Sequence, residues 1–172
     1  MTSGRRQYCT PDKDLAQCVS GKRVVQFDRR QKLEYDEENV VEKFGVLPES
    51  IPDYLGLVGD SSDGFPGLPG WGAKSAGTVL AHYVHLESIP DDVKDWDVQV
   101  RGAARLAETL ERERDTARLF RRIATLVRDV PGFGKVEDWR WNGPTDDLEK
   151  VCAALGRPRI AERVRHIASS RR

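Results

Sequence analysis

Apolar positions along this chain fall first at strand spacing and later at helix spacing. Residues 6–10 read as a short strand that stops at the Thr10-Pro11 break, residues 24–27 as a second strand, and residues 33–35 as an edge strand after the Arg29-Arg30 turn. Asp36 is a fitting N-cap for a helix through Phe44, with Val40, Val41 and Phe44 as its apolar face and Gly45 as its stop. Residues 49–58 make a short helix leading into an acidic loop. Residues 73–83 are helical, with Ala76, Val79, Leu80 and Tyr83 at core spacing. Residues 98–127 keep a helical pattern throughout, with Leu106, Leu110, Ala117, Phe120 and Leu126 buried and a break near Arg112 to Asp115, where charges cluster. Residues 146–155 form a clear helix, Gly156 lies past its end, and a basic helix follows. No internal repeat or low-complexity linker interrupts this order. The pattern predicts a small piece of sheet followed by a mostly helical body.

Composition narrows the class. The chain has 172 residues, 38% hydrophobic and 33% charged, which suits one globular domain with a charge-rich surface. No apolar run reaches membrane-spanning length, and the first residues lack the apolar core of a signal peptide. Cys9, Cys18 and Cys152 are odd in number and unrelated in spacing, so neither a disulfide framework nor a zinc site is expected and the cytoplasm is the default location. Net charge is zero, which argues against a general nucleic-acid binder unless an acidic cluster masks basic patches. The tail from Arg157 holds six arginines against the single acidic Glu162, a solubilising end or a backbone contact. Trp96, Trp139 and Trp141 read as core or rim packing in preference to base-stacking platforms. His82, His85 and His166 show no triad or metal spacing.

Two features carry chemistry. Asp12 and Asp14 follow the first strand, where extended alternation would send them to one face with Lys13 opposite. Asp60 and Asp63 lie in the acidic loop. Four such carboxylates are hard oxygen donors that suit Mg²⁺ or Mn²⁺ rather than zinc. Immediately after, Gly or Pro fills five of the seven positions from Pro66 to Gly72, and a helix opens. Gly70 and Gly72 allow tight turning and close approach of a phosphate, while Lys74 adds a charge and Ser75 a hydroxyl in the first helical turn. Taken singly, the loop is often only a turn and an acidic pair only a cap. In this order and this close together, they point to phosphodiester chemistry on a nucleic acid.

The run Val58-Gly59-Asp60-Ser61-Ser62-Asp63, followed by Phe65-Pro66-Gly67-Leu68-Pro69-Gly70-Trp71-Gly72-Ala73-Lys74-Ser75-Ala76, resembles the signature of the 5′–3′ exonuclease and flap endonuclease family. That family includes the N-terminal nuclease domain of bacterial DNA polymerase I. Thr10-Pro11-Asp12-Lys13-Asp14-Leu15-Ala16-Gln17, Phe44-Gly45-Val46 and Ile51-Pro52-Asp53-Tyr54-Leu55 agree in order, as do residues 122–131 and 139–156. The resemblance runs from about Tyr8 to about Arg163 and covers the family's C-terminal part. It implies an α/β fold tending to mostly α, with a remnant of a parallel-sheet nuclease domain before a helix-hairpin-helix (helix-three-turn-helix) domain. The expected division is 1–47 for the nuclease-core segment and 48–172 for the helical DNA-binding part.

The resemblance further implies two-metal Mg²⁺ or Mn²⁺ chemistry at Asp12, Asp14, Asp60 and Asp63, in a replication or repair nuclease. It also implies a grip on the duplex DNA backbone near a 5′ end or flap through Gly70, Gly72, Lys74 and Ser75, with K⁺ held by loop carbonyls at the hairpin. Three positions depart from the family pattern. Gly64 replaces an asparagine and should loosen the acidic loop, Trp71 replaces Ile or Val and should strain the hairpin if buried, and Ser75 replaces Thr but keeps the hydroxyl. Only eleven residues precede Asp12. The family's upstream strands, further acidic ligands and helical arch are therefore expected from a separate chain or a lost segment, leaving Tyr8, Cys9 and Val25 without neighbours. The leading expectation is a metal-dependent structure-specific 5′ nuclease, incomplete alone. A non-catalytic duplex-binding module is the alternative, and a degraded reading frame is a third reading.

Overall fold

The computed structural model describes residues 4–170 and divides into two compact units, one ending at Val127 and one beginning at Arg128. The first opens with a three-stranded sheet of β1 (Arg6–Cys9), β2 (Val24–Asp28) and β3 (Leu33–Tyr35), in that order. β1 and β2 pair in parallel, with Arg6 opposite Val24 and Cys9 opposite Phe27, whereas β3 returns antiparallel to β2. The strand expectations hold. Val25, expected to lack neighbours, is instead fully buried, and Tyr8 is half-buried with its hydroxyl donating to the carbonyl of Leu15 at 2.7 Å. Cys9 does remain exposed.

α1 (Glu37–Phe44) has the caps its sequence specifies. The Asp36 carboxylate accepts from the Asn39 amide, the Asn39 side chain accepts from the Asp36 amide, and Gly45 closes the helix at φ +75°. α2 (Ile51–Val58) is the centre of the unit: every residue from Ile51 to Leu57 is buried. Such a helix needs a neighbour on each side, and α4 (Ala103–Ala124) provides one. Gly56 makes that approach possible, because a Cβ there would stand 2.9 Å from the carbonyl oxygen of Ala117. α3 (Ala73–Tyr83) has the expected bounds and packs against α2. Ala16 and Val19 from the segment after β1 share one core with Ile51, Leu55, Leu80, Leu106 and Leu110.

The long helical pattern is shorter than expected. α4 begins only after Gly102, at φ +76°, and Thr125 past its end is already extended. Its kink falls at Glu113 (φ −109°, ψ 18°), inside the charged stretch where a break was expected. The second unit contains α5 (Leu148–Ala154) and α6 (Pro158–Ser170), which pack on each other around Cys152 and Ala161. Among the described residues no helix is long and apolar enough to cross a membrane, and the three cysteines are free thiols. The chain is thus α/β and mostly helical.

Candidate metal centre and helical hairpin

The segment after β1 does not continue as a strand. Lys13 adopts right-handed helical angles (φ −70°, ψ −26°), and a short 3₁₀ turn begins at Asp14. The extended alternation expected for Asp12 and Asp14 is therefore absent, and Lys13 does not point away from the carboxylates. Its ammonium lies 2.9 Å from Asp60 Oδ2. The turn forms because side chains take up its backbone groups: Asp12 Oδ1 accepts from the Asp14 amide at 3.1 Å, and Thr10 Oγ1 from the Asp12 amide at 3.1 Å.

Two buried glutamines hold this segment in place. The Gln26 amide, projecting from β2, donates to the carbonyls of Thr10 (3.0 Å) and Asp12 (2.6 Å). The Gln17 amide donates to the carbonyls of Asp14 (2.8 Å) and Ala124 (2.9 Å), while its oxygen accepts from the Leu126 amide at 3.0 Å. Gln17 so ties the acidic turn to the end of α4.

The second acidic segment follows α2. Gly59 leaves the helix at φ +87°, and the chain folds back so that Asp60 and Phe65 exchange backbone hydrogen bonds of 2.8 and 3.1 Å. Asp60 Oδ1 accepts from the Ser62 amide at 2.8 Å. Gly64 sits at φ +82°, a conformation glycine adopts without strain. Gly59 and Gly67 cross back to back. A Cβ on Gly59 would lie 2.4 Å from the Pro66 carbonyl carbon, and one on Gly67 would lie 2.4 Å from the Gly59 nitrogen.

Of the four expected carboxylates, three converge. Asp14, Asp60 and Asp63 each offer an oxygen, and these atoms all lie within 4.8 Å of one another. Asp12 is outside that group, exposed and engaged in the turn. Asp14 is 8% exposed and its Oδ1 is buried with no hydrogen-bond partner. Burial first, then the adjacent Asp63 carboxylate and the charges of Asp12 and Asp60, push the Asp14 carboxyl up to about 7. Asp60 goes the other way. Burial raises it, but the Lys13 ammonium and the amides of Ser62 and Asp63 outweigh burial and hold it below the usual range. A buried carboxylate with one unpartnered oxygen, beside two further carboxylates, fits a cation ligand better than an apoprotein in electrostatic balance.

The loop between the acidic segment and α3 keeps one expected glycine role and changes another. Gly70 has φ +84° and needs glycine for the turn. Gly72 is extended (φ −142°, ψ 175°), and nothing lies within 4 Å of where its Cβ would stand, so the turn itself does not require it. The Ser75 hydroxyl accepts from the Gly72 amide at 3.0 Å and lies 3.1 Å from the Gly72 carbonyl, so it shapes the loop. Lys74 is exposed, and no salt bridge to it is found among the described residues. The amides of Ala73, Lys74 and Ser75 open α3, with Ala76 the first to bond back, to the Gly72 carbonyl.

Trp71 is buried, as the strain expectation required, yet it is accommodated. Its Nε1 donates to the Leu106 carbonyl at 3.2 Å, and its ring lies tilted against Trp96 at 6.3 Å. The packing expectation holds for Trp96, whose Nε1 donates to the Pro90 carbonyl at 2.9 Å. Trp139 and Trp141 are 62% and 43% exposed, so neither lies in the core, and Trp139 meets Phe133 edge to face at 5.8 Å, as rim packing allows. His85 is placed by the buried Asp53 carboxylate at 3.0 Å, and Arg121 pairs with the same carboxylate at 3.1 Å.

Lys13, Gln17, Gln26 and the Gly59–Gly67 crossing escaped the sequence reading. Lys13 stood next to the candidate ligands, but the bend that turns it inward has no motif of its own.

Comparisons with known proteins agree with this architecture. The family described as 5′-3′ exonuclease, C-terminal SAM fold, matches residues 46–147. A 5′-3′ exonuclease of Aquifex aeolicus is 43% identical over 146 residues, covering 85% of this chain and 46% of that protein. DNA polymerase I of Caldicellulosiruptor bescii is 40% identical over 141 residues, covering 77% of this chain and 16% of the polymerase. The chain thus spans less than half the length of these relatives. Among solved structures, the bacteriophage T5 flap endonuclease, in a pseudo-enzyme-product complex with DNA and metal ions, matches with a TM-score of 0.57 at 16% identity. That match covers 70% of this chain and 42% of the endonuclease, and at such identity it speaks for the fold alone.

Proposed function

The chain belongs to the 5′–3′ exonuclease family, and from that premise we propose that it contributes one face of a metal-dependent, structure-specific 5′ nuclease site and grips duplex DNA through the α2–α3 hairpin. The observation that carries the reading is the convergence of Asp14, Asp60 and Asp63 within 4.8 Å, with a buried Asp14 oxygen left unpartnered. These residues would hold Mg²⁺ or Mn²⁺, since the donor set is all hard oxygen. Divalent ions bound there would activate water and stabilise the leaving oxygen of an in-line displacement at phosphorus.

The chain's own residues do the rest. Asp12 shapes the turn that presents Asp14 and adds negative charge to the site. Gln17 and Gln26 fix the acidic turn from either side. Lys13 neutralises Asp60 until a cation arrives. Three carboxylates are few for two cations, so the remaining ligands are assigned to a further segment or a separate chain. At the hairpin, the opening amides of α3 and the Lys74 ammonium face a backbone phosphate, the open space over Gly72 lets it approach, and K⁺ is a candidate ligand of the loop carbonyls. Contacts of this kind are independent of sequence and weaken with salt.

The test is cleavage of a 5′-flap duplex in Mg²⁺, with binding followed in parallel in Ca²⁺. Cleavage by this chain, or by this chain with a complementing segment, that disappears in Asp60→Ala supports the reading. Binding without cleavage under either condition would instead mark a non-catalytic duplex-binding module, a reading favoured by the Lys13 ammonium that already pairs with Asp60 at 2.9 Å. Lys74→Ala and Gly72→Val should each weaken duplex binding several-fold. Because Gly72 is extended and uncrowded, Gly72→Val should do so without loss of stability. Unchanged affinity in both variants would refute the hairpin assignment.

A further inference from the structure

We propose that the second compact unit carries a nucleotide pocket, in which Trp141 stacks on a base and Arg140 and Arg165 hold its phosphate. A cavity of about 720 Å³ opens between residues 140–144 and the last turns of α6, where Arg165, Ala168 and Ser169 line it. Its size falls in the usual small-ligand range of roughly 300–1,000 Å³. Two arginines line it and, among the described residues, no acidic residue does. Arg165 also pairs with Glu149 across α5, which fixes its direction, but a guanidinium carries five N–H donors and one such pair does not exhaust them.

Trp141 supplies the second element of recognition. At 43% exposure it keeps part of its side chain open to solvent. An exposed aromatic face beside arginine is the arrangement on which unpaired bases stack with little sequence preference. Asn142 adds an amide that can both donate to and accept from a base edge. Gly143, at φ +116° with no atom within 4 Å of its Cβ position, keeps the rim open. Phe133 and Trp139 extend the aromatic surface of the same unit: they meet edge to face at 5.8 Å and are 57% and 62% exposed.

The pocket uses only residues of the second unit, so it stands independently of the metal cluster and the hairpin. The same chemistry could serve a free nucleotide or a nucleotide within a single strand, and the experiment separates them. Anisotropy of a labelled single-stranded oligothymidylate is measured with the full chain in EDTA, with thymidine 5′-monophosphate as competitor. Trp141→Ala should weaken binding roughly 5- to 100-fold, the contribution of one stacked base. Trp141→Phe should restore most of it, and Arg140→Gln with Arg165→Gln should flatten the salt dependence. Ser169→Phe, at an exposed position of α6, should block the cavity without disturbing the core. Displacement by the monophosphate at comparable affinity assigns the pocket to free nucleotide; resistance to it assigns the pocket to a strand. No binding of either probe, or equal binding by wild type, Trp141→Ala and Ser169→Phe, overturns the proposal. Duplex binding at the hairpin, measured alongside, should be the same in all of these variants.

Discussion

Neutralising Asp14 should make the metal-free protein more stable. Its carboxyl is pushed from 3.8 up to about 7, first by burial and then by the Asp63, Asp12 and Asp60 carboxylates around it. A shift of this kind means that folding favours the protonated form. The stability it contributes is fully present below 3.8 and is lost as pH rises through about 7. Three units correspond to about 4 kcal/mol at most. Water reaching the site and relaxation of the exposed Asp63 reduce this, so Asp14→Asn should gain roughly 1–3 kcal/mol at pH 8. The asparagine amide can also donate to the oxygens that now crowd Asp14.

The assay is urea unfolding in EDTA, wild type against Asp14→Asn, at about pH 8 and pH 5. The gain should shrink to roughly a third at the lower pH, where folded Asp14 is already protonated and only the unfolded chain pays an ionisation difference. Adding Mn²⁺ should reverse the order, stabilising wild type and leaving the variant nearly unchanged. A loss of stability in Asp14→Asn at pH 8 in EDTA would refute the argument, because it would mean the carboxylate is stabilised rather than crowded.

Other variants probe the framework around the site. Gly67→Ala should destabilise by roughly 3 kcal/mol or more, since its Cβ would sit 2.4 Å from backbone at φ +72°; a wild-type urea midpoint would contradict the crossing. Lys13→Met should tighten Mn²⁺ binding while lowering stability in EDTA, because it removes the cation now 2.9 Å from Asp60; calorimetry showing weaker Mn²⁺ binding would count against it. Gln17→Leu should cost about 1–3 kcal/mol by stranding the Leu126 amide and the carbonyls of Asp14 and Ala124, and should weaken Mn²⁺ binding beyond what the stability loss predicts. Equal Mn²⁺ affinity would reduce Gln17 to a purely structural residue.

Local chemistry was legible in the sequence wherever a few adjacent residues decide the outcome. Asp36 and Gly45 fix both ends of α1 through side-chain capping and a left-handed glycine, and the apolar period of residues 73–83 fixes α3. The acidic loop and hairpin were legible for the same reason: Asp60, Asp63 and the Gly/Pro run lie within one short stretch. What escaped depends on distant partners. Gln17 reaches Ala124 and Gln26 reaches Asp12, and an amide that latches onto backbone leaves no spacing pattern. The bend at Lys13 was missed because propensity favours continuing an extended segment, whereas the Asp12 carboxylate and Thr10 hydroxyl take up the amides a turn exposes. For Trp139 and Trp141 the sequence left core and rim packing open, because what separates the two is how much distant chain covers each ring.

The fit of Trp71 explains how a bulky ring in the loop before α3 coexists with the acidic loop that precedes it. A ring in place of a smaller aliphatic side chain needs both volume and a hydrogen-bond acceptor. α4 provides the acceptor at Leu106, and Trp96 lies alongside the ring. The acidic loop is fixed to the same helix from its other end, where Phe65 stacks on Phe120 at 5.4 Å. Between those anchors, Gly59 and Gly67 cross with no room for a methyl group. Asp60, Asp63 and the hairpin amides are therefore displayed by one stretch of backbone that α4 holds at two points. A cation at Asp60 and Asp63 and a phosphate at the hairpin would share that support, so their separation is set by the fold rather than by either ligand.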